Sequence, residues 1–121
     1  MKKLNKSIGD YGENIACNFL KSKNHIIKDR NFRFHKHEID IVSMYNGILI
    51  FTEVKARYNK KYGMPVNSVN YIKKNYIKST ANYYIYIKNL YNLNIRFDII
   101  EILFNYNNNS FLINHIENAF T

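Results

Sequence analysis

Two carboxylates and a lysine, Asp40, Glu53 and Lys55, are spaced so that a β-hairpin would bring them together. Between them stands Asn46-Gly47, the dipeptide that most strongly favours a two-residue hairpin turn. Such a turn pairs residues whose numbers sum to 93, and it places Asp40 directly opposite Glu53. Because two opposed carboxylates repel each other, the pattern indicates a site for a divalent cation.

A carboxylate pair that holds Mg²⁺ is suited to hydrolysing a phosphodiester. The ion keeps coordination positions for water and phosphate oxygens when one or two carboxylates bind it. It polarises the phosphoryl group and stabilises the leaving oxygen. Asp40 and Glu53 are the predicted metal ligands. Lys55 faces the same side of its strand as Glu53, where its charge would stabilise a hydroxide-like nucleophile.

The same residues also allow a structural explanation, in which Asp40 protects an edge strand and Lys55 is a charge at a strand end. Against it, apolar residues alternate on both faces of the predicted hairpin. One set is Ile39, Ile41, Ile48, Ile50 and Val54, and the other is Val42, Met44, Leu49 and Phe51. Acids between two buried faces are costly unless they are paired or functional, so the pattern favours a functional site.

The segments that would position these residues alternate between helical and strand periodicity. Two helices are predicted over 7–22 and 67–88, and five strands over 24–34, 38–44, 48–55, 94–104 and 111–116. Residues 56–65 are predicted to form a basic loop. The order α-β-β-β-α-β-β predicts an α/β fold with a mixed central sheet flanked by helices. A single domain over residues 1–121 is expected from the length.

The faces of the two helices can also be predicted. Ser7 is the expected N-cap of the first helix, and Glu13 lies at the edge of that helix's apolar stripe. In the second helix, Tyr76 and Tyr83 fall on the apolar stripe and are predicted to lie in the core. Lys73 lies beside that stripe rather than opposite it.

The composition favours a polyanionic partner. Eighteen Lys and Arg against nine acids give a net charge of +9, although a solvated basic surface is the structural alternative. Cys17 is the only cysteine, which excludes an internal disulfide and a cysteine zinc site. The sequence contains neither an apolar run of transmembrane length nor an apolar signal segment. A cytoplasmic protein without a membrane partner is therefore expected.

Six short segments, spread over nearly the whole chain, match motifs of one known family: Gly9–Ala16, Arg30–Arg33, Glu38–Asp40, Glu53–Arg57, Arg96–Asp98 and His115–Phe120. In these segments the chain resembles the YraN-like family of small bacterial proteins. That family is similar to the PD-(D/E)xK nucleases, which have a restriction-endonuclease-like core, and distantly similar to archaeal Holliday-junction resolvases. This chain has His37 where the family often has glycine, and Ile39 where the superfamily has proline.

The resemblance implies that Asp40, Glu53 and Lys55 form the nuclease motif and that Glu13 adds a third acid to the metal. It implies Mg²⁺ as the cofactor, with Mn²⁺ as a substitute, and DNA as the substrate, including branched or damaged structures. The residues expected to contact nucleic acid are Arg57, Tyr58, Lys60, Lys61 and Lys73. The likeness to resolvases also favours a two-fold homodimer.

Two other functions fit the same sequence. The first is a nucleic-acid-binding module that cleaves weakly, or only together with a partner protein. The second is a nuclease that acts on RNA, because nothing in the sequence reads a 2′-hydroxyl or a DNA groove.

Overall fold

The computed structural model describes residues 2–58, 70–105, 108 and 110–121, and it describes side chains from residue 8 onward. The two helices are α1 (Lys2–Ser22) and α2 (Tyr71–Lys88). The five strands are β1 (Ile26–Phe34), β2 (His37–Tyr45), β3 (Ile48–Tyr58), β4 (Asn94–Phe104) and β5 (Phe111–Phe120). This order confirms the predicted succession of elements.

The five strands form one mixed sheet in the order β1-β2-β3-β4-β5. The β3–β4 pair is parallel, and the other three neighbouring pairs are antiparallel. The parallel pair requires a crossover, which contains α2. The predicted α/β fold is thus confirmed, and it is consistent with a restriction-endonuclease-like core.

The two helices cover opposite faces of the sheet. Ile99 packs in the apolar core beneath α2, and Ile100 packs in the core beneath α1. Because successive strand residues point to opposite faces, these two cores lie on either side of the sheet. In the described ranges, neither helix is long and apolar enough to cross a lipid bilayer.

The predicted hairpin register is confirmed over residues 41–52, and the paired ladder ends one position before the predicted Asp40–Glu53 pair. The β2–β3 pairs run from Tyr45–Ile48 to Ile41–Thr52, and the numbers in every pair sum to 93. The turn residues Asn46-Gly47 have φ values of 50° and 76°. Two successive positive φ values are those of a type I′ turn, whose twist matches that of the flanking strands. The turn therefore sets the register that brings Asp40 towards β3.

Two predicted boundaries are wrong. Helix α1 begins at Lys2, so Ser7 lies inside the helix and is not its N-cap. Nothing in residues 2–6 breaks a helix, and lysine has good helix propensity. Strand β3 continues to Tyr58 in parallel register with β4, so residues 56–58 belong to the sheet and not to a basic loop. Residues 59–65, with Lys60 and Lys61, lie outside the described residues.

The predicted buried face of α2 is also wrong. Tyr76 and Tyr83 are 44% and 36% exposed. The buried residues of α2 are Ile77, Thr80, Ala81, Tyr84 and Ile85. Apolar and aromatic side chains surround this helix, so its periodicity could not select the face that meets the sheet. The helix begins after its N-cap Asn70, and residues 67–69 lie outside the described residues.

Gly12 allows α1 to approach β3 closely. A Cβ atom at this position would overlap the Cβ of Ala56 and lie 3.8 Å from Ile102 Cγ1. We expect Gly12→Ala to lower the free energy of unfolding by about 1–3 kcal/mol, the usual cost of overpacking. Adding Ala56→Gly should recover part of that loss because it removes the overlapping methyl group. Urea unfolding of the single and double variants measures both effects, and a Gly12→Ala variant as stable as the parent would contradict the close approach.

Candidate metal centre

Three carboxylates converge where α1 meets β2. Glu13 comes from α1, whereas Glu38 and Asp40 come from β2, and each offers an oxygen within 4.8 Å of the other two. Oxygens on opposite sides of one Mg²⁺ ion are about 4 Å apart, so the spacing is close to that of a ligand set. Oxygen donors alone also suit Mg²⁺ or Mn²⁺ better than zinc. The chemistry of this group therefore fits the predicted metal.

Strand β1 supplies the donors that hold two of these carboxylates together. The Asn31 side-chain amide donates to Glu13 Oε1 at 2.8 Å and to Glu38 Oε1 at 3.3 Å. Asn31 has a φ of 52°, a left-handed conformation that asparagine tolerates better than most residues. Arg33 Nε lies 3.0 Å from Glu38 Oε2, and Arg30 Nη2 lies 4.0 Å from Glu13 Oε1. The two acids are thus positioned before any cation binds.

Asp40 is the most constrained of the three acids. It is 8% exposed, and its Oδ2 accepts a 2.7 Å hydrogen bond from the backbone N–H of Val54. Burial, and then the negative charge of Glu53, raise the pKa of Asp40 to about 9. The side chain therefore holds a proton at neutral pH when no cation is present. A divalent cation would take the place of that proton.

Glu53 lies beside Asp40 but is partnered by α2. Lys73 Nζ is 2.6 Å from Glu53 Oε2, and Glu53 is 7% exposed. Burial alone would lower the pKa of Lys73. The hydrogen bond to Glu53 outweighs this effect, so the pKa of the lysine is raised. In the described part of the chain, Glu53 does not belong to the group of three carboxylates. The structure thus brings Glu13, Asp40, Glu53 and Lys73 to one place, with Asp40 between the other acids and Glu53.

These residues surround a cleft of about 430 Å³. Its described lining includes the four acids, together with Lys36, His37, Lys73 and Tyr76. The volume falls in the range typical of small-ligand sites. A lining that contains both acids and lysines suits a ligand that brings a cation together with an anion.

Lys55 and Arg57 lie further along β3, beside β4. Lys55 is half-buried, stands opposite Glu101 in the parallel register and does not belong to the described lining of the cleft. Arg57 Nη2 lies 3.1 Å from Glu101 Oε2, and Glu101 is 1% exposed. Arg57 is thus anchored to a buried acid in this state, and its contact with phosphate stays a prediction.

Tyr58 lies apart from the carboxylates. It lines a second cleft of about 320 Å³ with Ile8, Tyr11, Phe104 and Asn105. The centroid of its ring lies 6.3 Å from the ring centroid of Phe104. Its proposed contact with nucleic acid also stays a prediction.

Sequence reasoning did not assign a role to Glu38 or Glu101. For Glu38 the signal was present, because residues two apart on a strand face the same side and Glu38 precedes Asp40 by two. Glu101 is an acid within the apolar stretch Ile99–Leu103, which is the pattern of a buried charge with a partner. The identity of that partner depends on the β3–β4 pairing, which no local pattern gives.

The model of the uncharacterised protein family UPF0102 matches residues 12–102, a span that contains Glu13, Glu38, Asp40 and Glu53. This chain belongs to that family. The UPF0102 protein of Clostridium novyi (strain NT) is 50% identical over 120 residues, which are 99% of this chain and 100% of the relative. A UPF0102 protein of Clostridium botulinum (strain Alaska E43) is 51% identical over 121 residues, 99% of this chain and 98% of its own length. UPF0102 is the YraN-like family, so the family predicted from the motifs is confirmed. The names of these relatives state no activity.

Asp40 should make the metal-free UPF0102 chain less stable as the pH rises. Its pKa is raised from 3.8 to about 9, so between these values the folded state holds a proton that the unfolded state releases. The free energy of unfolding therefore falls over this window. Asp40→Asn keeps an acceptor for the Val54 N–H, and it should raise stability in EDTA at pH 8 by at least about 1 kcal/mol, the equivalent of one pKa unit.

Urea unfolding between pH 5 and pH 9 measures this effect. Asp10→Asn, a change at an exposed acid of α1, is the matched control and should keep the slope of the parent. Equal pH slopes for the parent and Asp40→Asn would show that Asp40 carries no such proton.

Proposed function

We propose that this chain is a Mg²⁺-dependent endonuclease that hydrolyses DNA phosphodiesters, with branched or damaged DNA among its substrates. The observation that carries the proposal is the convergence of Glu13, Glu38 and Asp40, with Glu53 next to Asp40, in a chain of net charge +9. A sheet gains no stability from clustering acids. Mn²⁺ would serve as a substitute metal, and a cytoplasmic location remains part of the proposal.

Each residue has a chemical role in this proposal. Asp40, Glu13 and Glu38 would hold the ion, and Glu53 would join them when its carboxylate leaves Lys73. The bound ion would supply Lewis-acid polarisation of the phosphoryl group. Lys73 would then turn from Glu53 to a phosphate oxygen. Lys55, on the Glu53 face of β3, would stabilise the nucleophile.

A cleavage assay with defined DNA structures tests the proposal. Purified protein with Mg²⁺ or Mn²⁺ is incubated with linear, nicked, flapped and four-way DNA. We expect metal-dependent cleavage of at least one of these substrates and none in EDTA. If neither metal supports cleavage of any of them, the endonuclease proposal is wrong.

One observation favours the alternative, a nucleic-acid-binding module with little or no cleavage. The Glu53–Lys73 ion pair, together with the raised pKa of Asp40, neutralises much of the site without any metal. Under this alternative, DNA affinity depends on salt and survives the double change Asp40→Asn/Glu53→Gln. Rapid metal-dependent turnover by the parent protein would exclude it.

The two lysines should differ in how their removal affects metal dependence. Lys73 competes with a cation for Glu53, so Lys73→Gln should lower the Mg²⁺ concentration that gives half-maximal rate while also lowering the maximal rate. Lys55→Gln should lower the maximal rate by about 10²-fold, as loss of a group acting in the transition state does, without shifting the metal dependence. Rates measured across a Mg²⁺ titration separate these outcomes. Identical titration midpoints for Lys73→Gln and the parent would contradict the competition.

A further inference from the structure

Two exposed tyrosines of α2 form stacked pairs with the tip of the β1–β2 hairpin. The ring centroids of Tyr76 and His37 lie 3.7 Å apart, with an angle of 15° between the ring planes. Those of Tyr83 and Phe34 lie 4.1 Å apart, with an angle of 18° between the planes. Phe34 and His37 are cross-strand partners, so the two pairs are neighbours. We call these four residues the aromatic row. Tyr76 and Tyr83 remain 44% and 36% exposed in spite of these contacts.

The aromatic row begins at the metal centre. Tyr76 and His37 line the same cleft as Asp40. Tyr83 follows Tyr76 by seven residues, which is about two helical turns, or roughly 10 Å, along α2. The row therefore leads from the wall of the cleft outward along the helix.

The helix that carries Tyr76 and Tyr83 is basic, although four acids line the cleft at which the row begins. Helix α2 contains Lys73, Lys74, Lys78 and Lys88 and no acid. Lys36, at the tip of the hairpin, is exposed and also lines the cleft. Exposed rings among cations match nucleic acid, which has flat bases and a polyanionic backbone, better than an apolar protein surface.

Paired and unpaired nucleic acid differ in what they can offer to such a row. In a duplex, each base is already stacked between its neighbours, so its faces are not available to a side chain. An unpaired base can stack on an aromatic ring, and this contact tolerates any sequence.

We propose that the aromatic row stacks unpaired bases beside the metal centre, so that the substrate class is nucleic acid with a single-stranded segment next to the scissile phosphate. This inference rests on the proposed nuclease function for the role of the cleft. The stacking itself requires no metal and can be measured separately.

Binding in EDTA isolates the stacking from cleavage. Affinities for a fluorescein-labelled single strand and for the same sequence as a duplex are compared across salt concentrations. Tyr76→Leu/Tyr83→Leu should weaken single-strand binding about tenfold or more, as expected for loss of base stacking, and change duplex binding much less. Tyr76→Phe/Tyr83→Phe keeps both rings and should bind like the parent. Tyr91→Leu, at a tyrosine that is 63% exposed beyond the end of α2, is the matched control.

A spectroscopic test avoids any loss of packing. The chain contains no tryptophan, so Tyr76→Trp introduces a single indole that keeps an aromatic ring in the row. An unlabelled single strand should quench its fluorescence strongly, whereas it should quench the indole introduced by Tyr91→Trp only weakly. Equal quenching at both positions would overturn the proposal.

The outcomes separate this inference from the proposed function. If the leucine variant binds single strands as well as the parent does, the aromatic row is not a stacking surface, whatever the chain cleaves. If the row binds single strands but no substrate is cleaved with metal, the stacking surface stands and the nuclease proposal fails. With RNA and DNA single strands of one sequence, equal affinity supports stacking as the main contact. If the parent protein binds the duplex as tightly as the single strand, the proposal that the aromatic row stacks unpaired bases is contradicted.

Discussion

Asp40→Asn and Glu53→Gln should each reduce metal-dependent cleavage by about 10²–10³-fold, the usual cost of removing one group that stabilises transition-state charge. Both changes keep the size of the side chain and remove its charge. Because Asp40 lies between the other acids and Glu53, its loss should also raise the metal concentration needed for half-maximal rate. Rates over a Mg²⁺ titration measure both effects.

The controls for this result come from the same chain. Asp10→Asn, on the exposed side of α1, should cleave like the parent. DNA binding in EDTA should persist in Asp40→Asn, because the parent Asp40 already holds a proton at neutral pH when no cation is present. Cleavage retained in the double variant Asp40→Asn/Glu53→Gln would show that the reaction occurs elsewhere.

Asp98→Ala should lower the free energy of unfolding by about 3–5 kcal/mol, the usual cost of removing one partner from a buried ion pair. Asp98 is fully buried and accepts from Arg96 Nε at 2.8 Å and from Arg96 Nη2 at 2.9 Å. It also accepts from the backbone N–H of Asn118 at 3.0 Å, and its Oδ2 lies 2.8 Å from His115 Nε2. Its removal would leave the Arg96 side chain, which is 16% exposed, without this carboxylate.

The pH dependence of this network is opposite to that of Asp40. Burial alone would raise the pKa of Asp98, but the hydrogen bonds from His115 and Arg96 outweigh it and lower the pKa below 3.8. The stability that Asp98 contributes is therefore present above that value and is lost as the pH falls through the folded-state pKa. In Asp98→Ala this loss in acid should be absent.

Thermal and urea unfolding test the network. Glu117→Gln is the matched control, because Glu117 forms a 3.4 Å ion pair with the same Arg96 but is 63% exposed. An exposed pair of this kind contributes about 1 kcal/mol or less. If Asp98→Ala and Glu117→Gln cost the same, Asp98 is not the centre of the network.

The β2–β3 register was predictable from the sequence because a two-residue turn with two positive φ values allows one alignment of its strands. Asp40 and Glu53 could therefore be predicted to be neighbours from local pattern alone. The same alternation places Glu38 on the face of β2 that carries Asp40, so this neighbour was also predictable from the sequence.

Contacts between distant elements could not be predicted in this way. The Glu53–Lys73 pair depends on how α2 packs on the sheet, and apolar side chains all round that helix left its buried face undetermined. For that reason Tyr76 and Tyr83 were predicted to lie in the core, although they lie at the surface. The Arg57–Glu101 pair likewise depends on the parallel β3–β4 alignment, which is set by the crossover.

The most direct test of the account is a crystal soaked in Mn²⁺ and measured at a wavelength where manganese scatters anomalously. We predict an anomalous peak within coordination distance of Asp40 and between Glu13 and Glu38, and we predict that it is absent from Asp40→Asn crystals treated identically. No peak at saturating Mn²⁺, with the carboxylates grouped as described, would contradict the claim that these acids form a metal centre.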